Sequence, residues 1–212
     1  MVVDFSSPIW EKIVLEEAIP YILSRGFEGV ILDNLDYVDK YPEKKTAMVE
    51  LIRRIRELYP GITIIINRGF SIKDEIAPYI NYVLFEDFIT YYDFSTQRYE
   101  IFKGRELEWE IEQVKELKEL KVPVLALSYA NLSDRKQVEE FVGIVCYYAR
   151  KYNVSGIYLA EISLYRVGID PCRNQLEMGE EEKESKEESE KFGKVCGPGS
   201  ILALTLLWRR FL

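Results

Sequence analysis

The chain has 212 residues, 48% of them hydrophobic and 30% charged, enough apolar side chain for an ordinary core and too much for wholesale disorder. Its 28 Lys and Arg against 36 Asp and Glu leave a net charge of −8, which argues against nucleic acid as a partner. His is absent, which removes Ser–His–Asp and Cys–His nucleophiles, His-ligated zinc and imidazole acid–base chemistry, and leaves carboxylates, Tyr, Lys and Cys.

Short apolar runs alternate with amphipathic helical stretches from the N-terminus onward. Residues 2–5 read as a strand, followed by Trp10, Ile13, Val14, Ala18 and Ile22 at helical spacing. Gly29–Leu32 reads as a buried strand, and Ala47, Met48, Leu51, Ile52, Ile55 and Leu58 mark the helix after it. Residues 62–66 contain four Ile, which predicts a strand because β-branched side chains suit a pleated, buried surface. A short helix near 72–77 precedes a strand at 82–85. Trp109, Val114, Leu117 and Leu120 predict another helix, ended by Val122-Pro123 before a strand at 124–127. Asp134 opens a helix with Val138, Phe141, Val142, Val145 and Ala149 on one face, and residues 156–159 form the last strand.

Six strands and five helices in alternation, with apolar runs too continuous for one-sided burial, imply parallel strands covered by helices. Five of these runs end in a polar or aromatic group: Asp33, Asn67, Glu86, Tyr129 and Glu161. In a (β/α)8 TIM barrel this C-terminal rim is where active sites are built. A doubly wound sheet shares the alternation, but neither of the usual glycine-rich phosphate loops occurs, and the barrel is the favoured reading. Complete barrels take about 250 residues. Here the alternation ends near Cys172, so an incomplete barrel is expected, with about six βα units present and its first strands missing. Asp33 and Glu86, two strands apart, are placed to converge above the barrel mouth, where a carboxylate pair hydrolyses glycosidic bonds. Rim carboxylates that only tie down loops fit the same pattern. No metal and no cofactor is expected.

Beyond the domain at 1–172, residues 173–195 read as an acidic linker; residues 179–194 alone hold seven Glu and four Lys. Residues 196–212 close the chain with Cys196-Gly197-Pro198-Gly199-Ser200, a short apolar run and Arg209-Arg210. That run is too short for a bilayer helix, which needs about 20 residues. Its order of polar spacer, small-residue site and apolar-plus-basic end resembles the CGP-CTERM sorting signals of surface proteins in hyperthermophilic archaea. The resemblance implies an extracytoplasmic protein processed and lipid-anchored at Cys196, touching the membrane only through that processed end. No signal peptide precedes residue 2, so the chain is expected to be N-terminally truncated. Abundant Glu and Lys suit a thermophile. Cys146 and Cys172 are able to pair in an oxidising setting, though the apolar helix face favours an inert buried thiol at Cys146.

The segment 26–36, Gly-Phe-Glu-Gly-Val-Ile-Leu-Asp-Asn-Leu-Asp, resembles the G-F-D-G-V-x-x-D-N-x-D stretch of the endo-α-1,4-polygalactosaminidase family, glycoside hydrolase family 114. Ile66-Asn67-Arg68-Gly69 and Val83-Leu84-Phe85-Glu86 are similar to its N-R-G and V-x-x-E strands, and Val2-Val3-Asp4-Phe5 to the strand before. The resemblance spans residues 2–165. It implies a polysaccharide substrate containing amino sugars, with Asp33 the nucleophile-like carboxylate and Glu86 the acid/base. It also implies a sugar site shaped by Asn34, Asp36, Asn67 and Arg68. Asp4, Tyr92 and Tyr129 are candidate further contacts, Tyr129 following Ser128 where relatives tend to carry an acidic residue, and Tyr91, Tyr92 and Phe94 read equally as a stacking wall or as loop packing. A non-catalytic glycan-binding or envelope protein using the same cleft is the alternative, as is an inactive truncated product.

Overall fold

A computed structural model describes residues 4–173. The acidic linker from residue 174 onward, Cys196 and the C-terminal apolar run lie outside the described residues. Of the strand expected at 2–5, the described part is not strand: Phe5 and Ser6 lie in a turn, and the Ser7 side chain caps the following helix by accepting from Ile9 N–H. Pro8 in the first turn then enforces the helical φ. The helix runs as α1 (Pro8–Lys12), a wider π-helical stretch (Ile13–Ala18) and α2 (Ile19–Ser24).

Five parallel strands follow: β1 (Gly29–Leu32), β2 (Thr63–Asn67), β3 (Tyr82–Glu86), β6 (Val124–Tyr129) and β7 (Gly156–Ala160). They lie side by side in the order β1-β2-β3-β6-β7. The order never reverses, as it must at the switch point of a doubly wound sheet, so the expected barrel-type α/β fold holds in incomplete form. Among the described residues the sheet is open, with β1 and β7 at its edges. Gly29 is required where β1 meets β2: a Cβ there would sit 2.3 Å from the Thr63 carbonyl oxygen.

The helices cover the sheet through stripes at i, i+3, i+4 and i+7. In α4 (Lys45–Leu58) the stripe is Met48, Leu51, Ile52 and Ile55. α3 (Tyr37–Lys40) and α5 (Lys73–Ile76) are single turns. In α6 (Gly104–Glu119) the buried stripe is Glu110, Gln113, Val114 and Leu117, so two polar side chains occupy core positions while Trp109 is 44% exposed. α7 (Arg135–Tyr152) is capped by the Asp134 carboxylate, which accepts from Lys136 and Gln137 N–H, and it closes on Asn153 in the left-handed region.

An antiparallel hairpin, β4 (Thr90–Asp93) and β5 (Arg98–Ile101), is inserted between β3 and α6 and breaks the strict alternation. Cys146 is not a free thiol: it is bonded to Cys172, 26 residues on, with Cα atoms 5.5 Å apart, and ties α7 to the segment after β7. No helix among the described residues is long and apolar enough to cross a membrane.

Candidate active site

The C-terminal ends of β1, β2, β3 and β6 bring Asp33, Asn67, Glu86 and Tyr129 to one place. Alternation along each strand buries the apolar neighbours, such as Ile66 and Phe85, so the chain turns polar where the strand leaves the core. Asn67 sits between the two carboxylates. Its Nδ2 donates to Asp33 Oδ1 at 3.0 Å and to Glu86 Oε2 at 2.6 Å. Two contacts from one nitrogen cap the distance between those oxygens at their sum, about 5.6 Å. The second oxygen of Glu86 accepts from the buried Tyr129 hydroxyl at 2.5 Å, and Asp33 Oδ1 also accepts from Asn34 N–H at 2.7 Å. Burial and the bond to Glu86 both raise the Tyr129 pKa, so this phenol stays a donor.

Arg68 builds the adjoining wall. Its Nε donates to Asp36 Oδ2 at 3.0 Å and its Nη1 to the Glu86 carbonyl oxygen at 3.1 Å. Asp36 is steadied in turn by Gly69 N–H at 2.9 Å. The guanidinium carbon lies 5.2 Å from the Phe70 ring centroid and 5.7 Å from that of Trp109, within cation–π range. Asp33, Asn34, Asp36, Tyr37, Lys40, Asn67, Arg68 and Glu86 line a cleft of about 290 Å³.

Three loops leave the rim in the same manner. Asn34, Arg68 and Asp87 each follow a rim residue directly and hold φ of 61°, 56° and 62°. Left-handed backbone costs a non-glycine residue about 1–2 kcal/mol, so the turns aiming these side chains are held by their surroundings.

Behind Arg68 lie two carboxyls of another kind. Burial, with the charge of Glu86 adding and Arg68 opposing, pushes Asp87 up to about 6. Burial pushes Glu110 up to about 8, with Arg68 opposing and Asp87 adding. Glu110 Oε2 is buried with no hydrogen-bond partner among the described residues.

A profile of glycoside-hydrolase family GH114 matches residues 1–175. The chain belongs to this family. Among solved structures, the glycoside hydrolase domain of PelA from Pseudomonas aeruginosa matches at a TM-score of 0.68 and 19% identity, over 80% of this chain and 66% of that one. A single-residue variant of that domain matches at the same TM-score and 18% identity. At this identity the likeness is one of fold, and the chain spans just under two thirds of the PelA domain's length. No curated protein matches the sequence.

Of the residues singled out in this GH114 chain, Asp33, Asn34, Asp36, Asn67, Arg68, Glu86 and Tyr129 come together. Asp4 does not join them. Its Oδ1 accepts from Lys44 Nζ at 2.7 Å and from Ser6, and the Lys44 bond first, then those from Ser6, hold it down at about 2. Tyr92 lies on the hairpin, packed edge-on against Phe94 and Tyr99 at centroid distances of 5.1 and 4.9 Å, and does not line the cleft around Asp33 and Glu86. Tyr91 stacks on Phe102 at 4.2 Å. Glu161 pairs with Arg166 at 3.5 Å within its own loop. Two carboxyls of the site, Asp87 and Glu110, do not stand out in the sequence. Asp87 directly follows a rim carboxylate, which is a usable signal, whereas Glu110 is one of five Glu between residues 106 and 116 and reads as solvated.

Proposed function

We propose that Asp33 and Glu86 are the catalytic carboxylates of a retaining glycoside hydrolase acting on an amino-sugar-containing polysaccharide at the cell surface. The observation that carries this reading is the single Asn67 amide bonded to both. For the bonded pair Asp33 Oδ1 and Glu86 Oε2, a separation of at most about 5.6 Å admits the roughly 5–5.5 Å of retaining enzymes and lies below the roughly 6.5–9.5 Å that leaves room for an inverting water.

Asp33 is exposed to the cleft, and its Oδ2 has no bond among the described residues while Oδ1 is held by two donors. That free oxygen attacks the anomeric carbon as the protonated Glu86 carboxyl gives its proton to the departing glycosidic oxygen, forming a glycosyl ester on Asp33. Glu86, now a carboxylate, takes a proton from water as the water oxygen attacks the same carbon and releases Asp33. Tyr129 and Asn67 hold the Glu86 oxygens in place through both steps.

An amino-sugar substrate is supported by family membership and by a cleft with three carboxylates, Asp33, Asp36 and Glu86, against Lys40 and Arg68. The surface location rests on the sorting-signal resemblance at Cys196, and the Cys146–Cys172 disulfide suits an oxidising compartment. The test is release of reducing ends from α-1,4-linked polygalactosamine, with proton NMR of the first-formed anomer, for the chain and its Asp33→Asn variant. Cleavage with retained configuration, lost in the variant, is expected. Equal cleavage by both proteins, or an inverted product, would overturn the assignment.

A further inference from the structure

A second pocket of about 540 Å³, open to solvent, lies on the far side of Arg68, its lining including Asp36, Arg68, Arg105, Glu106, Trp109 and Glu110. Asp36 and Arg68 also line the cleft of Asp33 and Glu86, so the two spaces share a wall. The volume falls in the range of about 300–1,000 Å³ common to small-molecule sites.

One feature of its lining, the buried Glu110, has no structural explanation within the fold, and Trp109, though packed edge-on against Phe70 and beside Arg68, leaves much of its ring open. Glu110 stands on the buried stripe of α6 at 2% exposure, where an apolar side chain would pack without cost, and its Oε2 has no partner among the described residues. A buried polar group left without a partner in this way destabilises the fold. Trp109, one residue earlier, is a large aromatic left 44% exposed on the cavity wall. An aromatic ring beside a polar group with unused bonding capacity is a chemistry suited to a sugar ring, whose C–H face stacks while its hydroxyls hydrogen-bond.

We propose that this cavity is a second sugar subsite, in which a neighbouring ring of the glycan packs on Trp109 and one of its hydroxyls bonds to the Glu110 carboxyl. The inference rests on the hydrolase reading for the identity of the chain that crosses Arg68. With Glu110 pushed up to about 8, the group is mainly a carboxylic acid at neutral pH and offers both a donor and an acceptor, which is what a hydroxyl needs. Arg105 and Glu106, both exposed, form the outer lip. The subsite makes the protein a reader of chain length, gripping glycans that extend beyond the cleft more tightly than short ones.

The test measures binding, independently of cleavage, on the Asp33→Asn protein at pH 7. The probes are α-1,4-linked galactosamine oligomers of two and of six sugars. The hexamer is expected to bind about tenfold more tightly than the dimer. Adding Glu110→Leu is expected to bring hexamer affinity down to that of the dimer while raising Tm, because it removes an unpartnered carboxyl from the core. Glu110→Gln, which keeps a donor and an acceptor, is expected to retain the hexamer preference. A purely structural Glu110 would move Tm alone. Equal affinity for the two oligomers, no binding of either, or a hexamer preference that survives Glu110→Leu would overturn the subsite. The hydrolase reading is judged separately, by cleavage of the polymer by the protein with Asp33 intact.

Discussion

Asp33 and Glu86 stand on one side of Arg68, and Asp87 and Glu110 on the other, four carboxyl groups in opposite circumstances. On the first side most carboxylate oxygens are supplied with donors: Asn67 serves both residues, Tyr129 completes Glu86 and Asn34 N–H holds Asp33 Oδ1, while Asp33 Oδ2 and the Asn67 amide oxygen have no bond among the described residues. On the second side burial is not offset by donors, and both groups are pushed upward. The fold commits its hydrogen-bond donors to the rim of the sheet, where reacting groups need fixed positions. Behind the wall it leaves unused capacity that a ligand is able to fill.

Disabling the well-supplied side has the largest expected effect. Glu86→Gln keeps the shape and the Tyr129 contact but removes the acid, and kcat on polygalactosamine is expected to fall about 10²–10⁴-fold. A loss of less than about threefold would show that Glu86 is only a loop anchor, and the contrast between the two sides would lose its catalytic meaning.

The bare side is tested through pH. Native Glu110 keeps a proton between its ordinary value of 4.5 and about 8, while the unfolded chain releases it, so stability falls as pH rises through that window. Each pH unit crossed costs about 1.4 kcal/mol, which makes the whole fall on the order of a few kcal/mol. Glu110→Leu is expected to flatten the profile between pH 6 and 8, leaving the smaller Asp87 contribution below about 6. Urea midpoints measured across this range check it, and parallel profiles for the two proteins would contradict the burial argument.

Asn67→Ala removes the amide that holds the two carboxylates together. Misplacement of reacting groups by an ångström costs about 10²-fold, and a loss of that size in kcat with KM little changed is expected. Tyr129→Phe deletes one hydroxyl and leaves the buried ring. A hydrogen bond to a charged group contributes about 1.5–3 kcal/mol, so activity is expected to fall by about ten- to a hundredfold. If Asn67→Ala proved milder than Tyr129→Phe, the shared amide would not be the organising contact.

Much of the architecture was legible in the chain. The Ile-rich run at β2, the Met48-Leu51-Ile52-Ile55 stripe and the Asp134 cap each express a local rule, and all three elements form where the rule puts them. The polar residues closing four strands pointed to the same cluster that the sheet assembles. The β4–β5 hairpin was not legible, because its aromatic residues read equally well as loop packing; Tyr91 and Tyr92 take their places through Phe102 and Tyr99, eleven and seven residues away.

Alternating burial and strand length are local properties, so the amino-acid order alone was enough to say which residues reach the ends of parallel strands. Tertiary packing had to settle that Asn67 bridges Asp33 and Glu86, that Asp4 turns to Lys44 instead, that Cys146 meets Cys172, and that Glu110 lies inside. Each of these depends on which segments distant in sequence become neighbours, and hydrophobic periodicity carries no record of the partner a polar atom will find.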